Sequence, residues 1–130
     1  FSKGKLHIKK AIKYEKKNKD KIAEEFYEKS INYFYAHNKE FVPTLDTYFF
    51  LGLAYGKIKK FDEAIIYFSL GAELDPNHTL INEYLGSLYF SVKKLNLAKE
   101  NLKKLNNCNC KEFINLKNIL DGNEKSHFSF

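Results

Sequence analysis

YFFLGLAYG (residues 48–56) and EYLGSLYFS (residues 83–91) are two printings of one pattern. Leu51, Gly52 and Tyr55 return as Leu85, Gly86 and Tyr89, 34 residues on, and Ala64 returns as Ala98 at the same displacement. A fixed period of this size marks a chain of stacked supersecondary units, each unable to bury its apolar face alone.

Each unit reads as a pair of helices. Residues 45–58 place Tyr48, Leu51, Leu53 and Tyr55 near helical spacing, and after KIKKF the acid Asp62 is expected to cap a second helix, EAIIYFSLGAEL, that stops at DPNH. Gly52 and Gly86 are expected to let a paired helix approach closely, with Ala64 and Ala98 small on the facing side and Tyr55 and Phe68 filling the space around them.

A third copy lies upstream, where Ala11, Tyr14, Ala23, Tyr27 and Ser30 keep the mutual spacings of Gly52, Tyr55, Ala64, Phe68 and Gly71 at an offset of 41. The seven extra residues are nearly two helical turns, about 10 Å, so the second helix of this copy runs long through INYFYAHNKEF and ends by Pro43 with the same face inward. Lys10 stands where the other copies have Leu51 and Leu85, which makes this copy the least regular.

The pattern L-G-x-x-Y, then A-x-x-x-F, then a closing proline resembles the tetratricopeptide repeat. LGLAY, AIIYF and Pro76 carry it in the middle copy, and LGSLY with AKENL in the last. The resemblance implies an all-α, helical-hairpin solenoid: one domain over residues 1–130, with repeats at about 4–44, 45–78 and 79–110. A capping helix at about 111–121 and a loosely ordered tail at 122–130 follow, although Phe128 and Phe130 offer apolar groups that could dock. In the capping helix Asn109 and Glu112 have capping-box spacing, and Phe113, Leu116 and Leu120 form one apolar stripe. Such a cap keeps the last apolar face of a stack out of water.

The segment from DPNH to the cysteines Cys108 and Cys110 also looks like small exported bacterial proteins of this class, in which the last repeat ends in a cysteine pair. There the cysteines stand three residues apart, and here one. Export to a periplasmic or similar compartment is the expectation, with a cytoplasmic site the alternative; the start without methionine fits a cleaved signal peptide. The pair itself admits a disulfide closed across one residue, an inert pair, a redox pair, or, with His78, a three-ligand metal set one short of a structural zinc site.

Composition narrows the function. All 22 basic residues are lysine, and residues 1–19 hold eight of them against Glu15, so the +6 net charge is local to the first helix. Nucleic-acid binding calls for a wide basic face with arginine or stacking aromatics beside it, a pattern the sequence does not display. A solvated helix face, or docking to an acidic partner, is the simpler reading. No apolar run approaches the roughly 20 residues of a membrane span. No phosphate-cradling loop, H-E-x-x-H or nucleophile elbow occurs, so neither enzymatic activity nor a cofactor is expected.

In tetratricopeptide proteins the first helices of the pairs line a concave groove that holds a partner segment. By position, the resemblance assigns that role to Asp46, Phe49, Leu53 and Lys57 in the middle copy and to Glu83, Ser87, Phe90 and Ser91 in the last. The expected function is that of an adaptor for a protein or peptide partner; a metal or thiol-redox accessory role through the Cys-x-Cys loop is the alternative. Self-association through the lysine-rich first helix or the aromatic extension at 31–41 is a further expectation.

Overall fold

The computed structural model describes residues 2–128, the side chain of Ser2 excepted. Among them are seven helices and no strand: α1 (Ser2–Lys16), α2 (Asp20–Asn38), α3 (Leu45–Lys57), α4 (Phe61–Leu74), α5 (Thr79–Ser91), α6 (Leu95–Lys104) and α7 (Lys111–Leu120). The architecture is all-α and made of consecutive helical hairpins followed by a last single helix. The chain divides into two compact units, one up to Tyr67 and one from Phe68.

The turn between the two helices of each hairpin is the same structure three times. Asn18, Lys59 and Lys93 adopt left-handed backbone at φ 59, 66 and 64°. The following residues, Lys19, Lys60 and Lys94, donate their N–H to the carbonyls of Tyr14, Tyr55 and Tyr89 at 2.9, 2.9 and 2.8 Å. This is the six-to-one bond that closes a helix in a Schellman motif. The repeat tyrosine therefore supplies the carbonyl that closes each first helix as well as a packing ring.

In the first unit Ile8, Ala11, Ala23, Tyr27, Ile31 and Phe34 are buried. The extension of α2 is present and reaches Asn38, short of Pro43. It carries Phe34, which stacks on Phe50 of α3 at 6.0 Å. Gly4 sits against the same ring, where an added Cβ would stand 2.8 Å from two of its carbons. Thr44 caps α3 by accepting from the Thr47 N–H at 3.3 Å, and Thr47 Oγ1 accepts from the Thr44 N–H in return. One sequence expectation is corrected here: α4 begins at Phe61, so Asp62 lies with Glu63 inside the first turn. Both carboxylates still face the positive end of the helix dipole.

In the second unit Phe68, Ile81, Leu85, Leu88, Ala98, Leu105, Leu116 and Ile119 form the core. A Cβ on Gly86 would stand 2.7 Å from Leu116 Cδ2 and 3.1 Å from Asn101 Cβ, so this glycine admits both α7 and α6 onto α5. Between α5 and α6 lies a buried amide pair. Asn101 donates to Asn82 Oδ1 at 2.9 Å, while Asn82 Nδ2 donates to the carbonyls of Pro76 and His78. Each bond satisfies a polar group that would otherwise be expensive to bury.

Helix α7 departs from expectation at its start. Its N-cap is Cys110, and Asn109 precedes it at φ 51°, so Asn109 and Glu112 form no capping box. Glu112 instead accepts from the Thr79 hydroxyl at 3.3 Å, tying α7 to the start of α5. The buried stripe is Leu116 with Ile119, while Phe113 and Leu120 are half-buried. A loose tail is also overturned: Ser126 and Phe128 are buried, Phe128 to 1% exposure. Phe130 lies outside the described residues.

Candidate functional site

Three of the four candidate groove residues of the second unit meet the chain's own tail. Glu83, Ser87 and Ser91 follow one another at helical spacing along α5, and Ser126–Phe128 runs against them. Ser126 Oγ is in hydrogen-bond contact with Ser87 Oγ at 2.8 Å, with the Ser87 carbonyl at 3.0 Å and with Ser91 Oγ. Ser87 Oγ also accepts the backbone N–H of His127 at 2.8 Å. One serine of α5 thus binds both a side chain and the main chain of the tail.

The next tail residue meets a buried acid. Glu83 is 3% exposed, and its carboxylate accepts from Asn115 Nδ2 at 3.3 Å and from the imidazole of His127. An ionised carboxylate has only acceptors to offer, so the His127 nitrogen facing it is the N–H. The other face of the imidazole stacks on Tyr84 at 4.2 Å between ring centres. Phe128 then packs edge-on against Phe68 and Tyr84, and its N–H donates to Ser126 Oγ at 3.1 Å. Phe90 is half-buried on the same helix.

The four candidates of the first unit are placed differently. Phe49 and Leu53 are buried at 8% and 5% exposure, so they stabilise the core and present little surface to a ligand. Lys57 pairs with Glu15 at 3.1 Å, and the Tyr27 hydroxyl donates to the same carboxylate oxygen at 3.4 Å. Asp46 is exposed in the first turn of α3.

Two aromatic clusters in the first unit were not read from the sequence. Tyr55 and Tyr67 stack at 5.4 Å and both donate to the Tyr35 hydroxyl, at 2.8 and 3.0 Å. Burial, and then the hydrogen bond to Tyr35, raises both phenols above their ordinary value. The two donated bonds, first from Tyr55 and then from Tyr67, lower Tyr35. The cluster clasps the extension of α2 to α3 and to the first half of α4.

Along α1 and α2, His7 lies between Phe26 and Tyr33 at 5.8 and 5.1 Å, and Tyr14 stacks on Phe26 at 5.5 Å. Lys10 and Lys29 place their ammonium groups over Phe26, and Lys3 places its own over Tyr33. Burial, then Lys10 and Lys29, lowers the imidazole of His7. The lysines of the first helix therefore do have stacking aromatics beside them, contrary to the sequence reading. Those rings, Phe26 and Tyr33, come from α2, 16 positions after Lys10 and 30 after Lys3, and the hairpin brings them together. The irregular Lys10 is exposed and lies over Phe26, where Leu51 and Leu85 are buried.

At the third candidate site the sulfurs of Cys108 and Cys110 are joined, with Cα atoms 5.2 Å apart. His78 caps α5, its Nδ1 accepting the Ile81 N–H at 3.2 Å. Among the described residues no group of three or more His, Cys, Asp or Glu side chains is arranged to hold a metal ion. Nor is any described helix long and apolar enough to cross a membrane.

The signal for the tail was weak: KSHFSF puts two phenylalanines beyond a polar turn. Residues 45–78 match the family model of the tetratricopeptide repeat, and no curated protein matches the chain.

Proposed function

We propose that the protein is a non-enzymatic adaptor that holds a short segment of a partner protein against the α5 face of its second unit. Tetratricopeptide repeats generally mediate protein–protein interaction, and residues 45–78 match that repeat. The observation that carries the reading is that a short non-helical segment, turning at His127–Phe128, already lies there, its main chain bonded to Ser87, its side chains to Glu83 and Ser91, and its imidazole stacked on Tyr84. A face that binds both backbone and side chains of a peptide segment supplies affinity and selectivity together.

Panning displayed peptides on the chain tests this. Peptides selected on the protein should protect α5 amides from exchange, and Ser87→Trp, which fills the face, should abolish their binding. Selection of peptides that bind elsewhere, or of none, contradicts the reading.

The Cys108–Cys110 bond supports placing the protein in an oxidising compartment, periplasmic or otherwise exported, where disulfides persist. Thiol labelling of the protein in intact cells checks this: full labelling of both cysteines would contradict it. The same bond is the observation behind an accessory thiol-redox role, with Cys110 at the start of α7 as the reactive sulfur. A reduction potential near those of thiol oxidoreductases would favour that role, and one far below them would exclude it.

A further inference from the structure

We infer that the α5 face reads a segment in which a hydroxyl side chain, a hydrogen-bond donor and an aromatic ring follow one another, and that Ser126–His127–Phe128 occupies this face as an internal competitor that the partner displaces. The inference rests on the proposed adaptor function and gives its ligand a chemistry.

The three subsites are built from α5 outward. Ser87 and Ser91, one turn apart, bracket the Ser126 hydroxyl, and Ser87 fixes the main chain at the next residue. Glu83 and Tyr84 then present a carboxylate edge and a ring face to one side chain. Imidazole satisfies both, donating in its plane to Glu83 and stacking on Tyr84. A guanidinium has the same planar, donating character, and so arginine would suit this position too. The third subsite takes Phe128 against Phe68 and Tyr84.

Glu83 is what marks the face as a receptor site as well as a packing surface. A carboxylate at 3% exposure is costly to bury unless its oxygens are hydrogen-bonded. Asn115 from α7 serves one oxygen, and the tail serves the other. When the tail leaves, Glu83 accepts a donor from whatever segment replaces it.

The tail is attached so that it can leave. Residues 121–125 are five consecutive exposed positions between α7 and Ser126; the N–H groups of Asp121 to Glu124 close the end of α7, with Gly122 at φ 81°, and leave Lys125 as the link at which the tail can swing away. A tether of this kind sets a local concentration on the order of mM, so a segment that binds as weakly as ~100 µM is still held about 90% of the time and weakens a competing peptide about 10-fold.

The test uses the full chain and a fluorescent peptide of its own residues 123–130, NEKSHFSF. Phe128→Ala empties the aromatic subsite and should free the face. The variant is expected to keep its helical circular dichroism and to bind the peptide about 10-fold tighter than the unaltered chain. Adding Glu83→Gln, or replacing the histidine or first phenylalanine of the peptide by alanine, should remove most of that gain. Equal binding by Phe128→Ala and the unaltered chain overturns the inference. If Phe128→Ala loses its helix signal, His127→Ala carries the same test, and absence of a gain there overturns it likewise. Should NEKSHFSF fail to bind while displayed peptides still bind α5, this inference falls and the adaptor reading stands. If neither binds, both fall.

Discussion

The imidazole of His127 donates to the carboxylate of Glu83, 44 positions earlier in the chain, and stacks on the neighbouring Tyr84. A tail residue thereby completes the hydrogen bonding of a buried acid on α5. Because the tail follows an exposed linker, its loss is expected to be a local event.

Phe128→Ala should therefore cost about 1–2 kcal/mol, below the roughly 3–5 kcal/mol typical of truncating a core phenylalanine, since the tail can undock without leaving a cavity. Phe68→Ala, in the middle of α4 and fully buried, should cost the full amount. Urea unfolding of both variants compares them. Equal losses would mean that the tail is part of the core and does not detach.

Gly86→Ala should destabilise the second unit by about 1 kcal/mol, the added methyl meeting Leu116 at 2.7 Å and outweighing the better helix propensity of alanine. The same change made with Leu116→Ala should cost less than the sum of the two single changes, because the methyl then has room. A double-mutant cycle with additive energies would show that Gly86 is not what admits α7.

Lys59→Gly and Lys93→Gly should each stabilise the protein, by up to about 1 kcal/mol, since left-handed backbone is strained for a residue with a Cβ and free for glycine. Thermal unfolding reads the effect. A fall in Tm for both would mean that the lysine side chains contribute more than their backbone strain.

These turns also show what the sequence could and could not say. The 34-residue period was legible because Leu, Gly, Tyr and Ala recur in register, and their packing roles demand those shapes. The left-handed positions recur in the same register, yet they carry Asn18, Lys59 and Lys93, which advertise no such backbone. For Glu83, Ser87 and Ser91 the helix and their shared spacing along it were legible. What covers them was not, because the tail contacts lie 35 to 44 residues away and follow no period. Phe49 and Leu53 show the converse, being apolar residues that the repeat resemblance assigned to a groove and that are buried in the core. The Asn82–Asn101 pair was likewise hidden, since asparagine in a helix ordinarily faces water.

The tyrosine cluster sets an alkaline limit. Tyr55 and Tyr67 have phenols raised in the folded state, so the stability they contribute is fully present below the unfolded value of about 10 and is lost as pH rises beyond it. Tyr35 is lowered and acts in the opposite sense, but two raised groups outweigh it. Thermal unfolding from about pH 9 to about pH 11 should show a falling Tm, and the fall should be reduced in Tyr67→Phe. A flat or rising Tm would contradict the assignment.

The central claim is that a ligand segment and the tail compete for one face of α5. Fluorine NMR of the chain carrying 4-fluorophenylalanine at position 128 tests it most directly, using the peptides selected on the protein as titrant. The account predicts a buried resonance in the free chain that is replaced, as peptide saturates, by one at the solvent-exposed frequency. A fluorine signal that stays buried while peptide binds would contradict it.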